Sequence, residues 1–174
     1  EAGMTLLGYI AFLDPPKESA AQAVSELAAH GVDVKVLTGD NEVITRKICR
    51  DVGLAAGRIV LGTEVESLEE AELGVLAEQT RVFAKLAPAQ KARVIAALQK
   101  KGHVVGFLGD GINDGPALKT ADVGISVDSA VDIAKESADI ILLEKSLLVL
   151  DEGVIEGRKV FGNIVKYIRM GASS

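Results

Sequence analysis

The sequence alternates between short apolar runs and longer stretches whose apolar residues recur at helical spacing. Most of the apolar runs end at Gly or Asp, which is typical of repeated strand–helix units around a parallel sheet. The predicted strands are residues 5–12, 34–37, 59–61, 82–84, 104–108, 123–127 and 140–143. Their Val, Ile and Leu content suits burial on both faces. The pattern therefore predicts an α/β fold in which helices flank a parallel sheet.

Two of the intervening stretches have clear helical periodicity and clear ends. Residues 17–30 and 42–52 each place apolar side chains on one stripe, as covering helices do. Gly31 and Gly53 follow them where a helix C-cap prefers a residue with positive φ. The acidic residues 64–78 are interpreted as a surface helix or loop without chemistry. Residues 146–170 support one long helix, which we expect to be bent or interrupted because it contains three glycines.

Length and composition narrow the class of protein. At 174 residues the chain predicts a single domain, residues 1–174, and 3% aromatic residues leave the core to aliphatic side chains. The one cysteine, Cys49, lies in a helical pattern and is interpreted as core packing in a reducing compartment. A net charge of −6 argues against nucleic acid as a partner.

The last part of the chain has a different charge from the rest. After Glu156 it contains four basic residues and no acidic one. A basic helix end suits either a domain that approaches a membrane or an ordinary solvated helix face. The longest apolar run, residues 4–13, is too short to cross a bilayer, because a spanning helix needs about 20 apolar residues.

The first candidate site follows the predicted strand 34–37. Thr38 offers a hydroxyl, Gly39 lets the backbone approach a ligand, and the next helix directs its positive end toward an anion. Such loops at the carboxyl ends of strands hold ligands in open α/β sheets. An ordinary turn with Asp40 or Asn41 as the N-cap explains the same residues equally well.

The second candidate site is more specific. Residues 107–114 run from an apolar strand into a glycine-rich loop with the two carboxylates of Asp110 and Asp114. At about 4 Å, two like charges repel by about 4 kcal/mol at an effective dielectric of 20, so we expect a cation to join them. Hard oxygen ligands beside a phosphate favour Mg²⁺. A turn residue and a helix cap explain Asp110 and Asp114 separately, but not together.

The third candidate is Lys91, which follows Pro88 in a predicted helix that runs to Lys100. Lys91 begins a stripe that continues with Val94, Ile95 and Leu98 and that should face the core. A lysine there is costly unless it meets an anion, so we expect it to neutralise phosphoryl charge. The alternative is a lysine that extends to solvent.

These residues resemble the haloacid-dehalogenase-like phosphotransferases, and within them the phosphorylation domain of P-type cation-transporting ATPases. The resemblance covers essentially the whole chain. It rests on the order of four motifs: residues 14–17 (Asp-Pro-Pro-Lys), 38–40 (Thr-Gly-Asp), Pro88 with Lys91, and 109–118 (Gly-Asp-Gly-Ile-Asn-Asp-Gly-Pro-Ala-Leu). It implies a Rossmann-like parallel sheet of the haloacid-dehalogenase type. Residues 14–16 resemble the family's hinge toward a nucleotide-binding domain.

The resemblance also implies roles for individual residues. Asp110 is similar to the family's Mg²⁺ ligand, with Asp114 as a second metal residue, and Asn113 helps to hold the metal and phosphate. Thr38 is expected to bond a phosphate oxygen, Lys91 to balance its charge, and Gly39 and Asp40 to shape the pocket. Lys85 stands where the family often has an arginine near the nucleotide, although Lys lacks the fork geometry of Arg. The implied cofactor is Mg²⁺ and the implied substrate is ATP.

Residues 10–18 and 132–146 most resemble magnesium transporters, so the implied parent is an ATP-driven cation pump, with magnesium as its cargo, that forms and hydrolyses an aspartyl-phosphate. Gly115 stands where the family usually has alanine. No Asp-Lys-Thr-Gly-Thr sequence, the motif that carries the phosphorylated aspartate, occurs among the 174 residues. We therefore expect the C-terminal portion of a phosphorylation domain, without the nucleophile's strand and inactive alone.

The same interpretation sets expectations for partners and location. The partners would be the nucleotide-binding, actuator and transmembrane domains of the parent, with no nucleic acid, and an open strand edge could promote self-association. Residues 146–174 would lead toward the membrane, at the cytoplasmic face of the plasma or bacterial inner membrane, while the chain itself is soluble. Two alternatives remain open: a soluble phosphatase of the same superfamily, and a non-enzymatic interaction domain with that fold.

Overall fold

The computed structural model describes residues 19–144 and 146–172 of the chain. The strands are β1 (Val36–Leu37), β2 (Ile59–Leu61), β3 (Val82–Ala84), β4 (Gly106–Leu108), β5 (Val123–Val127) and β6 (Ile140–Leu142). The helices are α1 (Ser19–Ala29), α2 (Glu42–Asp51), α3 (Gly62–Ser67), α4 (Glu70–Gln79), α5 (Pro88–Lys100), α6 (Gly115–Thr120), α7 (Asp132–Ser137) and α8 (Leu148–Ala172). A 3₁₀ turn, Ile112–Asp114, precedes α6. The predicted strand at residues 5–12 and the predicted hinge lie outside the described residues.

The strands form two parallel sheets, in the orders β1-β3-β2 and β4-β5-β6. In the first sheet Leu37 lies opposite Phe83, and in the second Phe107 lies opposite Gly124. The α/β class with parallel sheets and flanking helices is thus confirmed. Within the described residues no strand of one sheet pairs with a strand of the other, so β1 and β4 each have one unpaired edge. The carboxyl end of β1 leads into Thr38, and that of β4 leads into Asp110.

Each sheet has its own apolar core, built almost entirely from aliphatic side chains. In the first sheet, Val60 and Phe83 pack with residues of α5 such as Val94, and a second cluster joins Cys49 to Val82. In the second sheet, Leu118 of α6 packs with Ala134 of α7 and with Ala130, just before that helix. Cys49 is fully buried, as the sequence predicts.

The covering helices match their predicted bounds closely. Gly31 and Gly53 have φ of +74° and +71°, the left-handed conformation expected just after α1 and α2. The acidic stretch forms α3 and α4, but the interpretation as a surface excursion was too narrow. Val65 and Leu73 are fully buried there, because the charged residues of these helices lie around an apolar face that completes the first core.

Residues 148–172 form one continuous α-helix, so of the two expectations, a bent helix or an interrupted one, the interruption was wrong. Glycine lowers helix propensity but does not prevent helical dihedral angles. The first half of α8 packs on α1, where Nδ1 of His30 lies 2.7 Å from Oδ1 of the buried Asp151. The Arg158 guanidinium also donates to the His30 carbonyl oxygen.

The second half of α8 is largely exposed, including large apolar side chains such as Phe161 and Tyr167. No helix in residues 19–144 or 146–172 combines the length and apolar character needed to span a bilayer. The described part of α8 therefore presents a mixed apolar and basic surface beyond its contact with α1.

Candidate functional site

The loop after β1 is a compact turn held by its own side chains. The Thr38 hydroxyl donates to Oδ2 of Asp40 at 3.0 Å and accepts from the Asp40 backbone N–H. The N-cap of α2 is Asn41, whose side chain accepts from the N–H groups of Val43 and Ile44. The turn interpretation allowed either Asp40 or Asn41 as the N-cap, and the structure assigns that role to Asn41. The Asp40 carboxylate instead accepts a hydrogen bond from the Thr38 hydroxyl and so orients it.

A second loop, after β3, is tied to this turn by backbone hydrogen bonds. The Lys85 N–H donates to the Asp40 carbonyl oxygen at 2.8 Å, and the Leu86 N–H donates to the Thr38 carbonyl oxygen at 3.0 Å. Lys85 has a φ of +53°, a left-handed conformation that is uncommon for a residue with a side chain and that is often found at functional sites. Its side chain is exposed. The structure thus brings Thr38, Gly39, Asp40 and Lys85 together.

The loop after β4 is organised around the Asp114 carboxylate. Its Oδ2 atom accepts from the backbone N–H groups of Asp110 and Gly111, at 3.3 and 3.0 Å. The Asp114 side chain makes no capping hydrogen bond to α6. The simple interpretation of Asp114 as the cap of that helix was therefore incomplete, since its carboxylate turns back and holds the loop that carries Asp110.

The other oxygen of Asp114 binds Lys91. The Lys91 ammonium donates to Oδ1 of Asp114 at 2.7 Å, and the two residues are only 8% and 9% exposed. Val94, Ile95 and Leu98 are also buried, which confirms that the stripe on α5 faces the core. The alternative in which Lys91 extends to solvent was wrong. The buried pair also means that a lysine supplies part of the positive charge that the two aspartates were expected to require.

The Asp110 side chain has a different environment from that of Asp114. Asp110 is exposed, and in residues 19–144 and 146–172 its carboxylate has no hydrogen-bonding or ionic partner. Asn113 is exposed as well. No group of three or more His, Cys, Asp or Glu side chains in these residues is arranged to hold a metal ion. A metal bound at Asp110 would therefore take further ligands from water, phosphate or another part of the protein.

Helix α5 connects the two groups of residues. Leu86, just before α5, bonds the Thr38 loop, and Lys91, on the first turn of α5, bonds Asp114. The two contacts are made by residues five positions apart in the sequence, on either side of the start of α5. No direct hydrogen bond or ion pair joins the Thr38 loop to the Asp110 loop among the described residues. The two loops are thus neighbours through α5.

One polar residue near this site was missed by the sequence analysis. Ser126 lies in β5, is fully buried, and donates its hydroxyl to the Gly109 carbonyl oxygen at 2.9 Å. The signal was a single hydroxyl in the otherwise apolar strand Val123–Val127. Buried hydroxyls are normally hydrogen-bonded, so this residue pointed to a polar partner nearby.

Known proteins are similar to this chain over the residues that form the candidate site. The family model described as haloacid dehalogenase-like hydrolase matches residues 1–122. The chain is 60% identical over its whole length to the magnesium-transporting ATPase, P-type 1, of Escherichia coli strain K12, and 34% identical over 97% of its length to a calcium-transporting ATPase of Bacillus subtilis. It spans 19% of the length of each of these relatives.

Solved structures give the same result for the fold. A zinc-transporting PIB-type ATPase in its E2.Pi state matches with a TM-score of 0.68 and 30% identity, over 88% of this chain and 21% of that one. The catalytic domain of the CPx-ATPase CopB-B matches with a TM-score of 0.59 at 24% identity, over 79% of this chain and 44% of that one. The family model covers more than half of the chain and the fold agrees with it, so the chain belongs to the haloacid dehalogenase-like hydrolase family.

Proposed function

We propose that this chain is part of the phosphorylation domain of an ATP-driven cation pump whose cargo is magnesium. The observation that carries the proposal is the buried Lys91–Asp114 pair, which holds the backbone of the loop that carries the exposed Asp110 carboxylate after β4. The similarity of the whole chain to P-type ATPases supports the reaction, and the magnesium-transporting relatives support the cargo. A soluble phosphatase lacks comparable support.

The catalytic Mg²⁺ would be held by Asp110. Its carboxylate is a hard oxygen ligand without a protein partner in the described residues, and Mg²⁺ commonly binds one or two carboxylates together with phosphate and water. Asp114 would act mainly as the anchor of the loop, since Lys91 and two backbone N–H groups already occupy its oxygens. Asn113 would contact the metal-bound water or the phosphate. A Mg²⁺ ion held there by Asp110 would supply positive charge to offset the charge on the transferring phosphoryl group.

The phosphoryl oxygens would be bound from the other loop. The Gly39 N–H is a donor at the carboxyl end of β1, where ligands bind in open α/β sheets. The Thr38 hydroxyl hydrogen is donated to Oδ2 of Asp40, so the hydroxyl would rotate away from Asp40 to donate to a phosphoryl oxygen. Lys91, in the first turn of α5, would add positive charge on the metal side, and the exposed Lys85 would contact ATP.

The nucleophilic aspartate would come from outside these 174 residues. Within residues 19–144 and 146–172, β1 and β4 each have an unpaired edge, and the loops that would surround a nucleophile follow these two strands. A further parallel strand placed between them would join the two sheets and carry its carboxyl end into the site. Alone, the chain would then be inactive, and its open edges would favour self-association.

The remaining partners would be other domains of the same protein. These are the nucleotide-binding, actuator and transmembrane domains, with the chain at the cytoplasmic face of the plasma or bacterial inner membrane. The basic, partly apolar second half of α8 would lead toward the bilayer.

The test is phosphorylation of the full-length protein by ATP with a labelled γ-phosphate. Asp110→Asn should lower the amount of acid-stable phosphoenzyme about tenfold or more, because the metal loses its protein carboxylate. Asp51→Asn, at the exposed end of α2, is the matched control and should change little. Normal phosphoenzyme in Asp110→Asn, or ATP hydrolysis by the purified 174-residue chain that Asp110→Ala abolishes, would contradict the proposal.

A further inference from the structure

We propose that Ser126 is a positioning residue for Asp110, and that its hydroxyl tunes the affinity of the site for Mg²⁺. The inference rests on the proposed function, because it takes Asp110 as the metal ligand. β5 has an unusual feature. Ser126 is fully buried in a strand that is otherwise Val, Gly and Ile, where an alanine would need no hydrogen-bond partner.

In the part of the chain that the structure describes, the hydroxyl has one partner, and that partner belongs to the loop after β4, residues 109–114, here called the metal loop. The Ser126 hydroxyl donates to the Gly109 carbonyl oxygen at 2.9 Å. This carbonyl and the Asp110 N–H belong to the same planar peptide group. The Asp110 N–H donates in turn to Oδ2 of Asp114. The peptide group before Asp110 is therefore held at both ends, by Ser126 from the sheet and by Asp114 from the loop.

The peptide group after Asp110 is held in the same way. Its carbonyl oxygen accepts from the Val131 N–H at 3.2 Å, and its N–H, that of Gly111, donates to Oδ2 of Asp114 at 3.0 Å. When both flanking peptide planes are fixed, φ and ψ of Asp110 are fixed, and with them the direction of its Cα–Cβ bond. Ser126 thus contributes one of the four hydrogen bonds that aim the Asp110 carboxylate.

The surroundings of Gly109 are crowded, so its backbone has few alternative hydrogen-bond partners. A Cβ atom at Gly109 would lie 2.6 Å from Cβ of Asp114 and 2.9 Å from the Phe107 ring, so only glycine fits there. The Gly109 N–H already donates to the Ile125 carbonyl oxygen and extends the pairing of β4 with β5. The Gly109 carbonyl therefore depends on Ser126 for its hydrogen bond within the described structure.

The prediction concerns metal affinity. Without the hydroxyl, the peptide before Asp110 keeps only its bond to Asp114, and at 3.3 Å that bond is long. Partners that orient a metal ligand typically change metal affinity by about 10- to 100-fold when they are removed. We expect Ser126→Ala to raise the Mg²⁺ concentration that half-saturates this site by about tenfold.

The experiment is hydrogen exchange of the full-length protein, followed by mass spectrometry of peptides that contain Asp110 and Gly111. This readout is local, so Mg²⁺ bound elsewhere in the protein does not contribute. Two results are expected for Ser126→Ala: faster exchange of these peptides without metal, and the shift in the Mg²⁺ titration. Ser126→Cys, whose S–H is a weaker donor, should give an intermediate shift and serves as the second variant if Ser126→Ala folds poorly.

The matched control is Ser137→Ala. Ser137 also donates its hydroxyl to a backbone carbonyl, that of Ile133, but within α7 and without a bond to the metal loop. If Ser126→Ala and Ser137→Ala give the same exchange and the same Mg²⁺ titration as the wild type, Ser126 is only a packing residue and the inference fails. The variant Asp110→Ala distinguishes failure of the Ser126 inference from failure of the proposed function. If Mg²⁺ protects these peptides from exchange in Asp110→Ala as well as in the wild type, Asp110 is not the metal ligand and the proposed function fails.

Discussion

Replacement of Lys91 by Met should destabilise the fold strongly, because it removes the cation from a buried ion pair. The Lys91 and Asp114 side chains are 11% and 12% exposed and their charged atoms are 2.7 Å apart. Breaking such a pair from one side costs about 3 to 5 kcal/mol, since the other charge stays buried. Asp114 keeps two backbone N–H donors, so we expect a loss at the lower end, about 3 kcal/mol in the free energy of unfolding.

The assay is urea unfolding of the 174-residue chain, with the free energy extrapolated to water. Lys100→Met is the matched control, because Lys100 lies on the same helix and pairs with Glu70, but both side chains are more than half exposed. An exposed pair contributes at most about 1 kcal/mol, so the control should be mild. The double variant Lys91→Met/Asp114→Asn should be less destabilised than the sum of the single variants, because it leaves no unpaired buried charge. Equal effects of Lys91→Met and Lys100→Met would refute this reasoning.

Three further predictions concern other parts of the fold. Gly62→Ala should cost about 1 to 3 kcal/mol in urea unfolding, because its Cβ atom would overlap the backbone carbonyl of Lys85. Cys49 should stay unreactive toward a thiol reagent at pH 8 until urea unfolds the chain, since burial raises the pKa of its thiol; rapid labelling of the native chain would contradict this. The hydrogen bond from the Val105 N–H lowers the pKa of the Asp122 carboxyl. The ionised carboxylate therefore stabilises the fold above its unfolded pKa of about 4, and this stabilisation is lost as the pH falls through the lower pKa of the folded state. Asp122→Asn should therefore flatten the acid limb of the stability–pH curve, and an unchanged limb would show that this hydrogen bond is unimportant.

The sequence predicted the fold well wherever local pattern and burial agree. The predicted bounds of the strands at 59–61, 82–84 and 123–127 are the observed ones. Short aliphatic runs between polar turns are typical of buried strands, so the pattern predicts them well. The helix that carries Lys91 was placed correctly because Pro88 marks its first turn. By contrast, helix propensity alone suggested an interruption in α8, whose four glycines do not interrupt it.

The candidate site was predictable as a set of loops but not as a set of contacts. The glycines, Asp110 and Asp114 marked the loop. The sequence could not show that one oxygen of Asp114 accepts from Lys91 and the other from the loop's own N–H groups. That choice depends on the packing of α5 against the loop, which is a tertiary contact. Ser126 was missed for the same reason, since its partner lies 17 positions away in the sequence.

The central claim is that the loops after β1 and β4 form one site for Mg²⁺ and phosphate. Its most direct test is a titration of the 174-residue chain with Mg²⁺ in the presence of phosphate, followed by the backbone amide NMR shifts of Asp110, Asp114, Thr38 and Lys91. We predict that all four amides shift with the same Mg²⁺ dependence, and that Asp110→Ala removes the response. Shifts confined to one of the two loops, or scattered over the surface, would contradict the account.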